Sequence, residues 1–144
     1  MAEYICFEKV QTENDIMEVH VSAKNPVITA SAKIYVDTEI LTELQEQIFA
    51  FLREQDLAVY WENDVPGIGG PPCVTLQFLP QDPAGRVLSE IYMELNDGGS
   101  FMDHNCRFYV SSDRVQLEAF AQGIPGFCSG SNGCRLILGQ PQSL

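Results

Sequence analysis

The sequence predicts an α+β domain: one twisted, largely antiparallel sheet of about six or seven strands, with two helices on one face. Three observations predict it. Apolar and polar residues alternate with period two along most of the chain, as half-buried strands require. Between residues 38 and 53 the period changes to three and four, the stripe of an amphipathic helix. After Asp113 a shorter helical stripe follows a capping pattern. Runs of strands separated by single helices give a sheet covered on one side, not a parallel α/β fold.

Residues 4–10 (Tyr-Ile-Cys-Phe-Glu-Lys-Val) read as the first strand, closed by the polar run Gln11 to Asp15. Over residues 16–23, Met17, Val19, Val21 and Ala23 alternate with Glu18, His20 and Ser22, and Asn25-Pro26 is a turn signal. Over residues 27–36, Ile28, Ala30, Ala32, Ile34 and Val36 oppose Thr29, Ser31, Lys33 and Tyr35. The helix from Thr38 to Arg53 carries Ile40, Leu41, Leu44, Ile48, Phe51 and Leu52 on one stripe. Asp37 or Thr38 can accept its first free N–H groups, and Glu39 suits the positive end of the helix dipole.

Ala58 to Trp61 reads as a short strand and Asn63 to Pro72 as a long loop punctuated by Gly and Pro. Residues 73–79 send Val74, Leu76 and Phe78 inward, and Pro80 to Gly85 makes a turn. Over residues 86–95, Val87, Ile91, Met93 and Leu95 face one way and Glu90, Tyr92 and Glu94 the other. Asn96-Asp97-Gly98-Gly99 is a reversal signal, because these residues tolerate the positive φ of tight turns. Cys106, Phe108 and Val110 then alternate with Arg107, Tyr109 and Ser111. Asp113 and Gln116 resemble a capping box opening a helix through Val115, Leu117, Phe120 and Ala121, with Gly123 and Pro125 as its stop. One domain therefore spans residues 1–127. Residues 128–144 read as an irregular Gly/Ser/Gln-rich tail around Leu136-Ile137-Leu138, with an edge strand there as the alternative.

At 144 residues the chain has the length of one domain and needs no disulfide or metal to support its core. Eight Lys+Arg against 20 Asp+Glu leave a net charge of −12, the wrong sign for binding nucleic-acid backbones. No apolar run approaches the ~18–20 residues of a membrane span, and residues 1–16 lack the basic-then-apolar layout of a secretory signal. The expectation is a soluble, cytoplasmic protein with no membrane partner.

Five cysteines (Cys6, Cys73, Cys106, Cys128 and Cys134) are an odd number at irregular spacing, unlike a secreted disulfide framework. They read as reduced thiols of a cytoplasmic protein. Cys128 and Cys134 are the one local pair, and the Gly/Ser residues between them could let the two thiols meet. Without a second pair of ligands we read no metal, and nothing in the chain calls for a cofactor.

Candidate catalytic patterns are weak. Gly67-Ile68-Gly69-Gly70 lacks the following helix and lysine of a phosphate loop. Asp103, His104 and Cys106 supply an orienter, a base and a thiol, but no residue elsewhere marks a triad partner. Glu90 and Glu94 share a strand face ~13 Å apart at strand rise, too far for a glycosidase carboxylate pair. No catalytic residue is assigned.

The face of the sheet turned away from the helices is more informative. It would carry Glu18, His20, Thr29, Ser31, Lys33, Tyr35, Thr75, Gln77, Glu90, Tyr92, Glu94, Arg107 and Tyr109. Tyrosines among carboxylates suit a protein interface, because Tyr supplies rigid contact area at low entropy cost. Glu90, Tyr92, Glu94 and Tyr109 are the expected protein-binding residues, with Glu62, Asp64, Asp97 and Asp103 at the rim.

The order of elements also carries a resemblance. Ile34-Tyr35-Val36-Asp37 leads into the Leu41, Leu44, Ile48 helix. Later come Val74-Thr75-Leu76, the Asp82-to-Gly85 turn, the Val87-to-Leu95 strand, Phe108-Tyr109-Val110, and Leu117-to-Phe120 with Pro125-Gly126-Phe127. Over residues 15–127 this pattern resembles small bacterial domain families catalogued alongside the immunity proteins of polymorphic toxin systems. The resemblance implies a cytoplasmic, non-enzymatic protein that neutralises a cognate toxin by tight binding, and it assigns no site. A basic toxin domain is the partner that a −12 protein would attract. The alternatives are a small enzyme or an acidic adaptor like a secretion chaperone, although such chaperones open with a helix and this chain opens with strands.

Overall fold

The structure, a computed structural model, describes residues 3–54, 59–63, 74–80, 83–95 and 104–139. In chain order these form β1 (Tyr4–Glu13), β2 (Ile16–Lys24), β3 (Thr29–Val36), α1 (Thr38–Arg53), β4 (Val59–Glu62) and β5 (Val74–Pro80). There follow β6 (Arg86–Leu95), β7 (His104–Asp113), α2 (Arg114–Gln122), α3 (Ile124–Ser129) and β8 (Arg135–Gly139). The α+β class stands, but the single sheet does not. The strands divide into two antiparallel four-stranded sheets, ordered β3-β2-β1-β8 and β4-β5-β6-β7.

Local chemistry explains each turn of the first sheet. Asn14 and Asp15 sit at φ 52° and 65°, the paired positive values of a tight hairpin, and Glu13 pairs with Ile16 across it. Asn25 Oδ1 accepts from the backbone N–H groups of Val27 and Ile28, closing the β2–β3 turn. A register shift between Lys9 and Gln11 bulges β1 and leaves Val10 exposed.

The helices start where side chains satisfy their free N–H groups. Asp37 accepts from Ile40 N at α1, and Asp113 with Gln116 forms a complete capping box at α2. Gly123 ends α2, but Pro125 does not end helical structure. It lies in the first turn of α3, where a missing N–H costs nothing.

Both sheets turn their apolar faces into one core. Phe7 of β1 is its hub: its ring lies 5.7 Å from Phe120 of α2, edge-on, and 6.2 Å from Trp61 of β4. The buried Trp61 donates Nε1–H to the Ile40 carbonyl of α1, so its one polar atom is satisfied. Phe51 of α1 meets Phe78 of β5 at 6.2 Å. Ile40, Leu41, Leu44, Ile48 and Phe51 are all buried, as the helical stripe requires. The helices pack against both sheets: α1 meets β4, and α2 meets β6, β7 and β8.

The edge of β7 shows where the sheets part, although alternation alone suggested one sheet. Among the described residues no strand pairs with the outer edge of β7; side chains just beyond the ends of β1 and β2 meet it instead. Asn25 Nδ2 donates to the Tyr109 carbonyl, and the Ser111 N–H donates to Glu3 Oε1. This protects an edge without extending the sheet. After residue 127 the chain supplies part of α3 and all of β8, the edge strand of the alternative reading for residues 128–144, and Leu136 and Leu138 of β8 enter the core beside β1. Among the described residues no helix is long and apolar enough to cross a membrane.

Candidate protein-binding face of the second sheet

Strand pairing places the expected residues in two rows on the outer face of the second sheet. Tyr60, Gln77, Glu90 and Tyr109 lie directly opposite one another across β4, β5, β6 and β7. Glu62, Thr75, Tyr92 and Arg107 form the adjoining row. Glu94 follows Tyr92 on the same face of β6, opposite Asn105. The inward partners of these residues are Val59, Trp61, Leu76, Phe78, Ile91, Met93, Phe108 and Val110, all in the core. Period-two geometry therefore fixes the outward set as firmly as the inward one.

Five of the eight expected binding residues thus share one face: Glu62, Glu90, Tyr92, Glu94 and Tyr109. Asp64, Asp97 and Asp103 lie outside the described residues, as do Cys73 and the Gly67–Gly70 stretch. The residues Glu18, His20, Thr29, Ser31, Lys33 and Tyr35 do not join this face. They project from the outer side of the first sheet, where His20 lies opposite Lys33 and Glu8, and Arg135 Nε bonds Glu8 Oε1 at 3.1 Å. The single open face expected from sequence is therefore two faces of different character. Lys24, Lys33 and Arg135 lie on the first with Glu8 and Glu18, whereas the second carries Glu62, Glu90 and Glu94 with Arg86 and Arg107.

The carboxylates of the second face are held in place by their neighbours. Arg107 Nη1 donates to Glu90 Oε1 at 2.6 Å, and the Tyr109 hydroxyl donates to Glu90 Oε2 at 3.1 Å. The Glu90 side chain keeps only 12% of its exposure, so both oxygens are largely covered by charge-assisted partners. Arg107 also lies 5.2 Å from the centre of the Tyr92 ring, and the Tyr92 hydroxyl donates to Glu94 Oε1 at 3.3 Å. On β4 the Tyr60 hydroxyl donates to Glu62 Oε2 at 3.0 Å. The result is a fixed lattice of rings and carboxylates. Tyr60 and Tyr109 are 48% and 43% exposed, among the exposed large hydrophobic residues of the described chain. The bond to Glu90 pushes the Tyr109 phenol above its ordinary value, because ionisation would place two anions side by side.

Tyr60 and Arg107 belong to this site although neither was among the expected binding residues. Alternation of Val59 and Trp61 with Tyr60 and Glu62 carried the signal for Tyr60. Alternation likewise put Arg107 on the outward side of β7, but its place beside Tyr92 and Glu90 needed the register of β6 against β7, which no local pattern supplies.

Other chemistry lies elsewhere. His104 and Cys106 occupy the same side of β7, and burial pushes the Cys106 thiol up. A cleft of about 300 Å³ at the start of α1 is lined by Asp15, Asp37, Glu39 and Cys128 among others, with Asp37 already engaged as the helix cap. Comparison with protein-family models, curated proteins and solved structures gave no match.

Proposed function

We propose that the protein is a non-enzymatic binding domain that engages a basic protein partner through the outer face of its second sheet. The observation that carries this reading is the lattice of Tyr60, Tyr92 and Tyr109 with Glu62, Glu90 and Glu94. A solvated sheet face has no need of fixed, exposed tyrosines. Interfaces gain from them, because ring area already immobilised loses little entropy on binding. The carboxylates bias the face toward a basic partner, and the net charge of −12 steers such a partner in and repels nucleic acid.

Within that class we favour neutralisation of a cytoplasmic toxin domain, as in the immunity proteins that the order of elements resembles. Inhibition of this kind blocks a basic substrate groove by occupying it and uses no catalytic group of the inhibitor. Affinity should be nanomolar or tighter, about −12 kcal/mol, so that the complex outlasts the toxin's opportunity to act. The test is co-expression with the product of the adjacent gene, followed by purification of the complex and a growth-protection assay. A stable complex and protection support the reading. A neighbour that neither binds nor is toxic removes the toxin assignment.

A further inference from the structure

The loop between α3 and β8 contains a second arrangement that the binding face does not use. Cys128 lies in α3 and Cys134 immediately precedes β8. Both are half-buried free thiols. Cys134 Sγ lies 3.7 Å from the Phe127 carbonyl oxygen, one peptide unit from Cys128. Gly130 makes room for this approach, since a Cβ there would sit 2.9 Å from Cys134 Sγ. Gly133 turns the loop at φ 90°. Backbone bonds then fix the far end: Gly133 N–H donates to Lys9 O at 2.7 Å, and Lys9 N–H to Cys134 O at 3.0 Å.

Lys9 organises the site from below. Its side chain is 2% exposed, and its ammonium donates to the Cys128 carbonyl at 2.9 Å and the Gly130 carbonyl at 2.8 Å. It also lies 5.5 Å from the centre of the Phe127 ring. Among the described residues no carboxylate pairs with it. Burial pushes the Cys128 thiol up, and the charge of Lys9 pulls it down more weakly. The Cys128 thiol bonds the Thr38 side chain, and Cys128 is one of the residues lining the cleft at the start of α1. The two thiols differ in their surroundings: Cys128 lines the cleft at the start of α1, and Cys134 does not.

We propose that Cys128 and Cys134 are an oxidant-responsive pair, at which exchange with a low-molecular-weight disulfide forms an internal bridge clasping α3 to the start of β8. The Cys128 thiol gives up its proton and its sulfur attacks the small disulfide. One small thiolate leaves, takes up that proton, and a mixed disulfide remains on Cys128. Cys134 then loses its proton and attacks the Cys128 sulfur, expelling the second small thiol. The protein loses two electrons and two protons, and the small disulfide gains both. This site is independent of the binding face.

The experiment incubates folded protein with oxidised glutathione and follows intact mass and tryptic peptides. Trypsin leaves both cysteines in one peptide, residues 115–135. That peptide should lose two hydrogens, and dithiothreitol should restore it. Cys134→Ser should stop at a glutathione adduct on Cys128, and Gly130→Ala should slow bridging several-fold by displacing Cys134 Sγ. The bridged protein should melt at a higher temperature than the reduced one. A wild-type adduct that accumulates without bridging overturns the proposal. So does a bridge that forms only in denaturant, a bridge that leaves the melting temperature unchanged or lower, or a Cys134→Ser protein that takes no adduct at Cys128.

Discussion

Tyr109 donates its hydroxyl to Glu90 Oε2 at 3.1 Å from the residue directly opposite on the neighbouring strand. With Arg107 on the other oxygen, Glu90 becomes the fixed centre of the tyrosine face. Tyr109 should therefore ionise above the ordinary tyrosine value near 10. Ultraviolet titration should detect this late phenolate, and Glu90→Gln should bring it down. The sign for stability follows. A group whose folded value is raised contributes fully below its unfolded value, so this contribution is present below pH ~10 and lost as pH rises through the folded value. A Tyr109 that titrates identically in both proteins would contradict the bond.

Phe7 links β1 to α2 and β4 through two ring contacts, so its removal should be felt across both sheets. Phe7→Ala should cost about 3–5 kcal/mol and Leu44→Ala about 2–5 kcal/mol. Denaturant unfolding measures both. Midpoints that do not move would contradict the shared core.

Asp113 closes the capping box of α2, and both of its reciprocal bonds are present. Asp113→Ala should cost about 1 kcal/mol, and Asp113→Asn clearly less because Asn keeps an acceptor. Equal losses for the two substitutions would show that the helix start is held by something other than the cap.

Burial raises the Cys128 thiol above its ordinary value, against the opposing pull of Thr38 and Lys9. Less thiolate is then present at neutral pH than at a free cysteine. Its alkylation in the folded protein should be slow at pH 7 and should accelerate through and beyond the ordinary thiol range. Cys134→Ser provides the clean measurement at Cys128. Alkylation already at its plateau at pH 7 would contradict the burial.

Much of the fold could be read locally. Alternation marked β1, β2, β3, β5, β6 and β7, and the stripe from Ile40 to Phe51 with the Asp37 cap marked α1. Asp113 and Gln116 marked α2. What local patterns could not carry was partnership. Period two says which way Glu90 and Tyr109 point but not that they face each other, and it does not say that side chains rather than a strand meet the edge of β7. The Leu136–Leu138 knot was visible, yet its Gly-rich surroundings hid that β1 needs it as a neighbour. Lys9 looked like any strand lysine, because its carbonyl partners lie 119 and 121 residues away in sequence.

If the partner is basic, association should slow as salt rises, while the tyrosines govern dissociation. Tyr60→Ala should shorten the lifetime of the complex and leave the salt dependence of association largely unchanged. Loss of salt dependence with an unchanged lifetime would reverse those roles.

The most direct test of the binding face is an affinity comparison by titration calorimetry, using the adjacent-gene product as partner. Glu62→Lys with Glu94→Lys reverses charge on the second sheet, and Glu18→Lys does the same on the outer side of the first. Circular dichroism should show all three proteins folded. The double reversal on the second sheet should weaken binding at least ~100-fold, about 2.7 kcal/mol, while Glu18→Lys stays close to wild type. Binding that survives the double reversal, or falls equally with Glu18→Lys, would contradict an interface on the tyrosine face.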